Sequence, residues 1–221
     1  LPVKQIKKRY HAWKEWPAIM KEKTKGLPIV FSNSYQRASK YWFYSGQMTL
    51  SQNLYKERRN NYNFWPIEKM LIDKPVYFLD IYDLQRFPDS LKTPIGYVGY
   101  RYYPWFLSFQ TARIVANMPY RVSEKDSLHI DCYNAPDGPT FNMLGAKPGT
   151  LYSVYLIFFK KKEIVATKQV SLDLTGLNRK SSTKLVVYPG LSKGKYKMMF
   201  SVVMPPFNPT HNSEKIKLTV E

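Results

Sequence analysis

Along the first twenty residues apolar side chains recur at steps of three and four: Val3, Ile6, Tyr10, Trp13, Pro17 and Met20. That spacing puts them on one stripe of an α-helix, with Lys4, Lys7, Lys8, Arg9 and Lys14 on the other faces. The predicted helix is basic and amphipathic. Pro17 lies on the stripe and lacks an amide donor, so it is expected to break or kink the helix. A second short helix would then start there, because a first turn accepts proline. The stripe can pack on its own domain or lie along a membrane surface.

After Gly26 the pattern changes. Pro28-Ile-Val-Phe31 is a short apolar run that reads as a buried strand, residues 32–34 read as a cap, and residues 35–45 read as a helix stopped by Gly46. Residues 66–72 read as another helix with proline in its first turn, and VYFLDI over 76–81 as a second buried strand. Strand, helix and strand in alternation predict a small layered α/β unit, Rossmann-like, over residues 1–90.

From about residue 107 the spacing is that of strands, expected at 107–116, 127–133, 152–159, 163–172, 183–188, 195–203 and 215–220, with Gly, Pro, Asn and Asp between them. Roughly seven short strands predict an Ig-like antiparallel β-sandwich over residues 91–221. Lys160, Lys161 and Lys162 fall at a hairpin tip, either solvated or an interaction patch. Tyr97, Tyr100, Tyr102, Tyr103 and Trp105, within 88–106, are expected to pack the two halves together or to present a glycan platform. The fold class is therefore α+β.

Charge adds an environment. The net charge is +18, with about +8 in residues 1–90 and +10 in residues 91–221. Such an excess suits an anionic surroundings, whether membrane or nucleic acid, or simply a solvated surface. The aromatic content, 16%, favours strands and ring-lined surfaces over a helical bundle. The lone Cys132 forbids an internal disulfide and reads as a buried, inert thiol. His11, His129 and His211 lack metal-ligand spacing, so no metal and no cofactor are expected. No apolar run approaches the roughly 18–20 residues of a membrane helix, and the start at Leu-Pro-Val suggests a piece of a longer or processed protein.

The chemistry concentrates in residues 28–68, PIVFSNSYQRASKYWFYSGQ and NLYKERRNNYNFWPIE. In layered α/β sheets ligands sit beyond the carboxyl ends of the strands, which places Ser32, Asn33, Ser34, Tyr35 and Gln36 at a mouth. A helix start there offers free amides to a phosphate. No glycine-rich fingerprint accompanies it, which argues against a nucleotide. Arg58, Arg59, Asn60, Asn61, Tyr62, Asn63, Phe64 and Trp65 add guanidinium groups for anions, amides for hydroxyls and rings for sugar faces. Sugar phosphate is the ligand this inventory matches best. The competing reading is a structured loop whose amides satisfy a turn and whose rings plug the core.

These segments, PIVFSNSYQRASKYWFYSG with RRNNYNFWPIE and KPVYF, carry a resemblance over roughly residues 10–82. They resemble the soluble part that follows the membrane helices of bacterial integral-membrane glycosyltransferases, those of Bacteroidetes especially. That family is similar to the dolichyl-phosphate-mannose protein mannosyltransferases and the aminoarabinose transferases. The resemblance implies transfer of a sugar from a polyprenyl-phosphate donor to a glycan or lipid acceptor at the periplasmic face of the inner membrane. The family's catalytic acid lies in a loop between membrane helices, so the resemblance implies no catalytic residue here and a chain inactive alone. It does imply a wall facing the membrane-embedded site, made of Asn33, Tyr35, Gln36, Ser39, Tyr44, Arg58, Arg59, Asn60, Asn61, Tyr62 and Trp65. The implied partners are the upstream transmembrane domain, the lipid-linked sugar and its acceptor, and an anionic membrane surface.

Eight basic residues in the first 25 stand against that orientation, since such clusters normally mark the cytoplasmic side of a span. Earlier spans can fix the topology first. Two other classes fit the composition: an autonomous carbohydrate-binding or adhesion module working through the sandwich, and a nucleic-acid binder. The second ranks last, because the basic residues are dispersed and no nucleic-acid motif is present.

Overall fold

The computed structural model describes residues 3–94, 96–135, 139 and 150–221, with side chains from His11 onward. The chain is rich in β-structure and forms two compact units, one of residues 1–54 and 59–106, the other of residues 55–58 and 107–221. The expected boundary at residue 90 is thus replaced by one at 106. The reason is pairing: the segment read as a junction supplies two strands to the first unit.

The first unit opens with α1 (Val3–Lys23), which runs unbroken through Pro17, contrary to the expected break. Proline inside a helix costs about 3 kcal/mol. Burial offsets it, since Trp13, Trp16 and Met20 are all in the core and each such side chain returns about 2 kcal/mol. Trp16 packs between Trp13, Phe31 and Tyr41, with ring centroids 5.2–5.7 Å apart. The stripe positions Val3, Ile6 and Tyr10 have side chains outside the described residues.

Next come β1 (Ile29–Ser32), α2 (Tyr35–Ser45), β2 (Thr49–Gln52), α3 (Ile67–Leu71), β3 (Val76–Asp80), β4 (Asp89–Thr93) and β5 (Gly96–Tyr103). They form one sheet in the order β2-β1-β3-β5-β4. The strand β1 is parallel to both β2 and β3, whereas β5 is antiparallel to β3 and to β4. All of β1 and β2 is buried, as parallel strands between covering layers must be, which explains the unbroken Ile-Val-Phe run. The strand β2 reads Thr-Leu-Ser-Gln and carries no apolar run. Its hydroxyls are satisfied internally, Thr49 Oγ1 donating to Ala38 O at 2.9 Å and Ser51 Oγ to Asn53 Oδ1 at 2.9 Å. Helix α2 ends as expected, with Gly46 at φ 69° returning its N–H to Trp42 O at 2.9 Å.

The second unit contains β6 (Ile114–Asn117), β7 (Arg121–Val122), β8 (Leu128–Asn134), β9 (Ser153–Lys160), β10 (Glu163–Val170), β11 (Thr183–Val187), β12 (Gly194–Val203) and β13 (Ile216–Val220). One sheet has the order β10-β9-β12-β13-β7 and the other β11-β8-β6, compatible with a sandwich. Six of the seven expected strands coincide closely; the first shortens to Ile114–Asn117, and β7 was not anticipated. Leu128, Ile130 and Cys132 alternate inward along β8, and burial, helped by Asp131, pushes the Cys132 thiol up to about 12. The lysine hairpin joins β9 to β10, with Lys161 at φ 57° in the turn. A second apolar cluster, Ile157, Phe159 and Met199, packs with Tyr155 and with Tyr55 of the 55–58 segment. Tyr55 N–H also donates to Pro209 O at 3.1 Å.

Candidate functional site

The carboxyl ends of β1 and β2 lie side by side because these strands are parallel and in register from Ile29↔Thr49 to Ser32↔Gln52. Two loops leave that edge. The first turns immediately into α2: Asn33 takes φ 43°, its N–H donates to Gln52 O at 2.9 Å, and its Oδ1 accepts Leu54 N–H at 3.3 Å. Asn33 therefore ties the two strand ends together. Asn tolerates this left-handed backbone because its short amide bonds locally.

The second loop, residues 53–65, is held by amides. Asn53 Nδ2 donates to Asn63 Oδ1 at 2.8 Å, and Asn60 N–H to the same oxygen at 2.9 Å. Tyr62 N–H donates to Asn60 Oδ1 at 3.0 Å, completing a capping box around a short 3₁₀ turn, Asn61–Asn63. Asn53 and Asn63 are buried, so their side chains spend their polarity on the loop itself. For Asn60 and Tyr62 the structured-loop reading holds.

The two loops then close on one another. Ser39 on α2 and Tyr62 share a hydroxyl hydrogen bond of 3.2 Å, and the Trp42 and Trp65 rings meet edge to face at 6.4 Å. Tyr62 also meets Trp65 edge to face at 5.4 Å. Burial raises the Tyr62 hydroxyl above its ordinary pKa, with Ser39 and Thr49 acting in the opposite direction. What this patch leaves to solvent is its rim: Tyr35, Gln36, Asn61, Phe64 at 63% exposure and Trp65 at 41%. Exposed rings beside amides can stack on a sugar face and bond its hydroxyls.

Not every expected residue belongs to it. Arg58 is exposed and falls in the second unit, whereas Arg59 is partly buried in the first. Tyr44 sits at the far end of α2 and packs edge to face on Phe43 at 5.0 Å. There it joins a groove of about 350 Å³ with Trp13, Ser39, Lys40 and Phe43. Lys40 Nζ lies 4.6 Å from the Trp13 ring centroid, a cation–π contact. The sequence reading missed Lys40 and Phe43. A signal existed: Ala38 and Tyr41 mark the buried phase of α2, and Phe43 is a large apolar residue off that phase, 80% exposed.

At the end of β3, Arg37 reaches across to Tyr82, its Nη1 donating to the hydroxyl at 3.4 Å with the guanidinium 5.6 Å from the ring centroid. Asp80 Oδ1 accepts Tyr82 N–H at 2.7 Å and Asp83 N–H at 3.3 Å, so this carboxylate shapes the turn. Among the described residues no group of three His, Cys, Asp or Glu side chains is placed to hold a metal ion. No helix among them is long and apolar enough to cross a membrane. No protein-family model matches the chain, and no curated protein matches it either.

Proposed function

We propose that this chain is the extracytoplasmic, non-catalytic domain of a membrane glycosyltransferase that uses a polyprenyl-phosphate sugar donor. In this reading the first unit binds the sugar-bearing substrate, and the membrane-embedded part of the same protein performs the transfer. One observation carries the reading. The segments that resemble that family, the β1–α2 corner and residues 59–65, fold into a single patch joined by Ser39–Tyr62 and Trp42–Trp65, with Tyr35, Asn61, Phe64 and Trp65 at its rim. Packing alone gives no need to leave three aromatic rings, one from the first segment and two from the second, at the rim of one patch.

In fold terms we read the first unit as Rossmann-like, supported by the parallel order β2-β1-β3 with α2 linking β1 to β2. The second we read as Ig-like. The strand β6 lies in one sheet, and β7, immediately after it, pairs in parallel with the last strand in the other. Tyr196 near the start of β12 donates its hydroxyl to Ser192 O at 2.8 Å, the geometry of a tyrosine corner. This unit is then a scaffold, and the periplasmic face of the inner membrane is the expected location.

The test is transfer by the full-length enzyme carrying Trp65→Ala. Loss of one stacked ring is expected to raise the donor or acceptor KM by about tenfold, equivalent to about 1.4 kcal/mol; because Trp65 also packs on Trp42 and Tyr62, the unfolding midpoint falls too, and the kinetics are compared per folded molecule. Unaltered kinetics would remove the patch from substrate binding. Binding of free glycans by residues 1–221 alone, insensitive to Trp65, would favour an autonomous carbohydrate-binding module instead.

A further inference from the structure

The apolar stripe of α1 was open to two uses, and the structure spends its described members, Trp13, Pro17 and Met20, internally, with Trp16 buried beside them. The exposed apolar surface of this region is instead the C-terminal half of α2. Phe43 is 80% exposed, Tyr44 stands beside it, and the two border the groove floored by Trp13 and edged by Ser39 and Lys40. A ring this exposed loses free energy in water and gains it only when something covers it.

The charge of the helices that build the groove says what that occupant is. Among the described side chains of residues 11–54 there are six Lys and Arg, namely Lys14, Lys21, Lys23, Lys25, Arg37 and Lys40, against Glu15 and Glu22, and Lys40 lines the groove itself. The described parts of α1, α2 and their connections therefore carry a net positive charge. An occupant must offer negative charge at the rim and apolar depth at the centre. A bilayer of anionic lipid offers both within a few ångströms, and Lys, Tyr and Phe are the side chains that settle at that boundary.

We propose that Phe43 and Tyr44, with Lys40 beside them, form a docking surface through which the first unit rests on an anionic phospholipid bilayer. Phe43 enters the acyl boundary, Tyr44 stays at headgroup level, and the Lys40 ammonium, 4.6 Å from the Trp13 ring centroid at the groove edge, pairs with the phosphates. The inference rests on the glycosyltransferase reading and deepens it. Ser39 borders the groove and also bonds Tyr62, so docking through the groove holds the Trp65 patch at the membrane surface, where a lipid-linked sugar is presented.

The purified chain is tested by co-sedimentation with vesicles of equal parts phosphatidylglycerol and phosphatidylcholine, against phosphatidylcholine alone. Binding is expected only to the anionic vesicles and should weaken as salt shortens the reach of exposed charges. Phe43→Ala should lower the partition coefficient about tenfold, the effect of one phenyl ring withheld from the lipid. Lys40→Gln should lower it about fivefold, and Phe43→Trp should keep it. Both positions are exposed, so unchanged far-ultraviolet circular dichroism is expected of each variant. Equal binding to the neutral vesicles, no binding at all, or a Phe43→Ala protein that binds like the parent would each overturn the proposal. So would self-association abolished by Phe43→Ala in place of lipid binding. The two readings fail separately: vesicle binding lost while Trp65→Ala still impairs transfer removes only the docking surface, and the reverse removes only the substrate patch.

Discussion

The two units solve the same problem, hiding buried amides, with opposite consequences for their surfaces. In the second unit Asn212 is fully buried, and its side chain donates to Phe109 O at 2.6 Å and Ala112 O at 3.3 Å while accepting from Val202 N–H and Thr210 Oγ1. Nothing on that network reaches solvent. In the first unit Asn53, Asn60 and Asn63 form an equally complete network, yet it ends at a rim of exposed rings, Phe64 and Trp65. A saturated polar interior is thus no mark of function by itself; the informative difference is what it holds up to the water.

That contrast can be broken from the second unit first. Asn212→Ala leaves the buried Val202 N–H without its partner and takes one of two donors from each of Phe109 O and Ala112 O, which keep Ala112 N–H and Arg113 Nη1; it is expected to cost about 3 kcal/mol, read as a lowered urea midpoint. Activity per folded molecule should not change. Asn63→Ala is expected to cost less, about 2 kcal/mol, because its loop is nearer the surface. Unlike the first variant, it should also weaken substrate use by loosening the turn that carries Trp65. Equal kinetic effects from the two changes would erase the distinction between the networks.

A smaller effect, loss of stability at alkaline pH, is common to both units and can be removed from the first alone. Burial pushes the Tyr41 hydroxyl from its ordinary 10 up to about 12, the Ser45 hydrogen bond acting the other way. Because the folded value is the raised one, the contribution of Tyr41 is fully present below pH 10 and is lost as pH climbs through 12. Cys132 gives the second unit the same sign over pH 9 to 12. Tyr41→Phe should flatten the alkaline fall in stability of the first unit. It should also impose a pH-independent loss of about 1 kcal/mol from the bond to Gln47 Oε1, measured at 3.0 Å. A curve parallel to the parent's above pH 10 would count against the shifted hydroxyl.

The same contrast explains what the sequence made legible. Strands with one wet and one dry face print an alternation, as β8, β11 and β13 do, while β9 and β12 print apolar runs that are buried through their middles, so all five could be read almost to the residue. The buried strand β1 was legible as an apolar run. Its neighbour β2 was not, since Thr49, Ser51 and Gln52 bury polar groups whose partners, Ala38 O and Asn53, are visible only once folded. Gly99 hid β5 similarly: its missing side chain makes room for Phe87, whose ring carbons lie 3.0 Å from where a Cβ would be. At the candidate site, residue type drew attention to two segments, and the structure brings them together. Type alone could not say that Asn60 and Tyr62 turn inward while Asn61 and Trp65 turn out, because that choice is made by the capping box. Arg58 and Arg59, adjacent in sequence, part company for the same kind of reason: the chain passes from one unit to the other between them.

That passage has a practical meaning for anyone who would cut and splice this gene. The chain crosses between the units three times, after Leu54, after Arg58 and after Phe106, so neither unit is a contiguous cassette. Removing residues 107–221 would strand Tyr55 without the Ile157, Phe159 and Met199 cluster it packs on, and grafting those residues alone onto another protein would leave that cluster without its cover. A chimera respects the molecule only if the four residues 55–58 travel with the sandwich as a second, separate insert. A shuffled library of such chimeras should recover functional proteins only where donor and acceptor agree at this tongue as well as at residue 106.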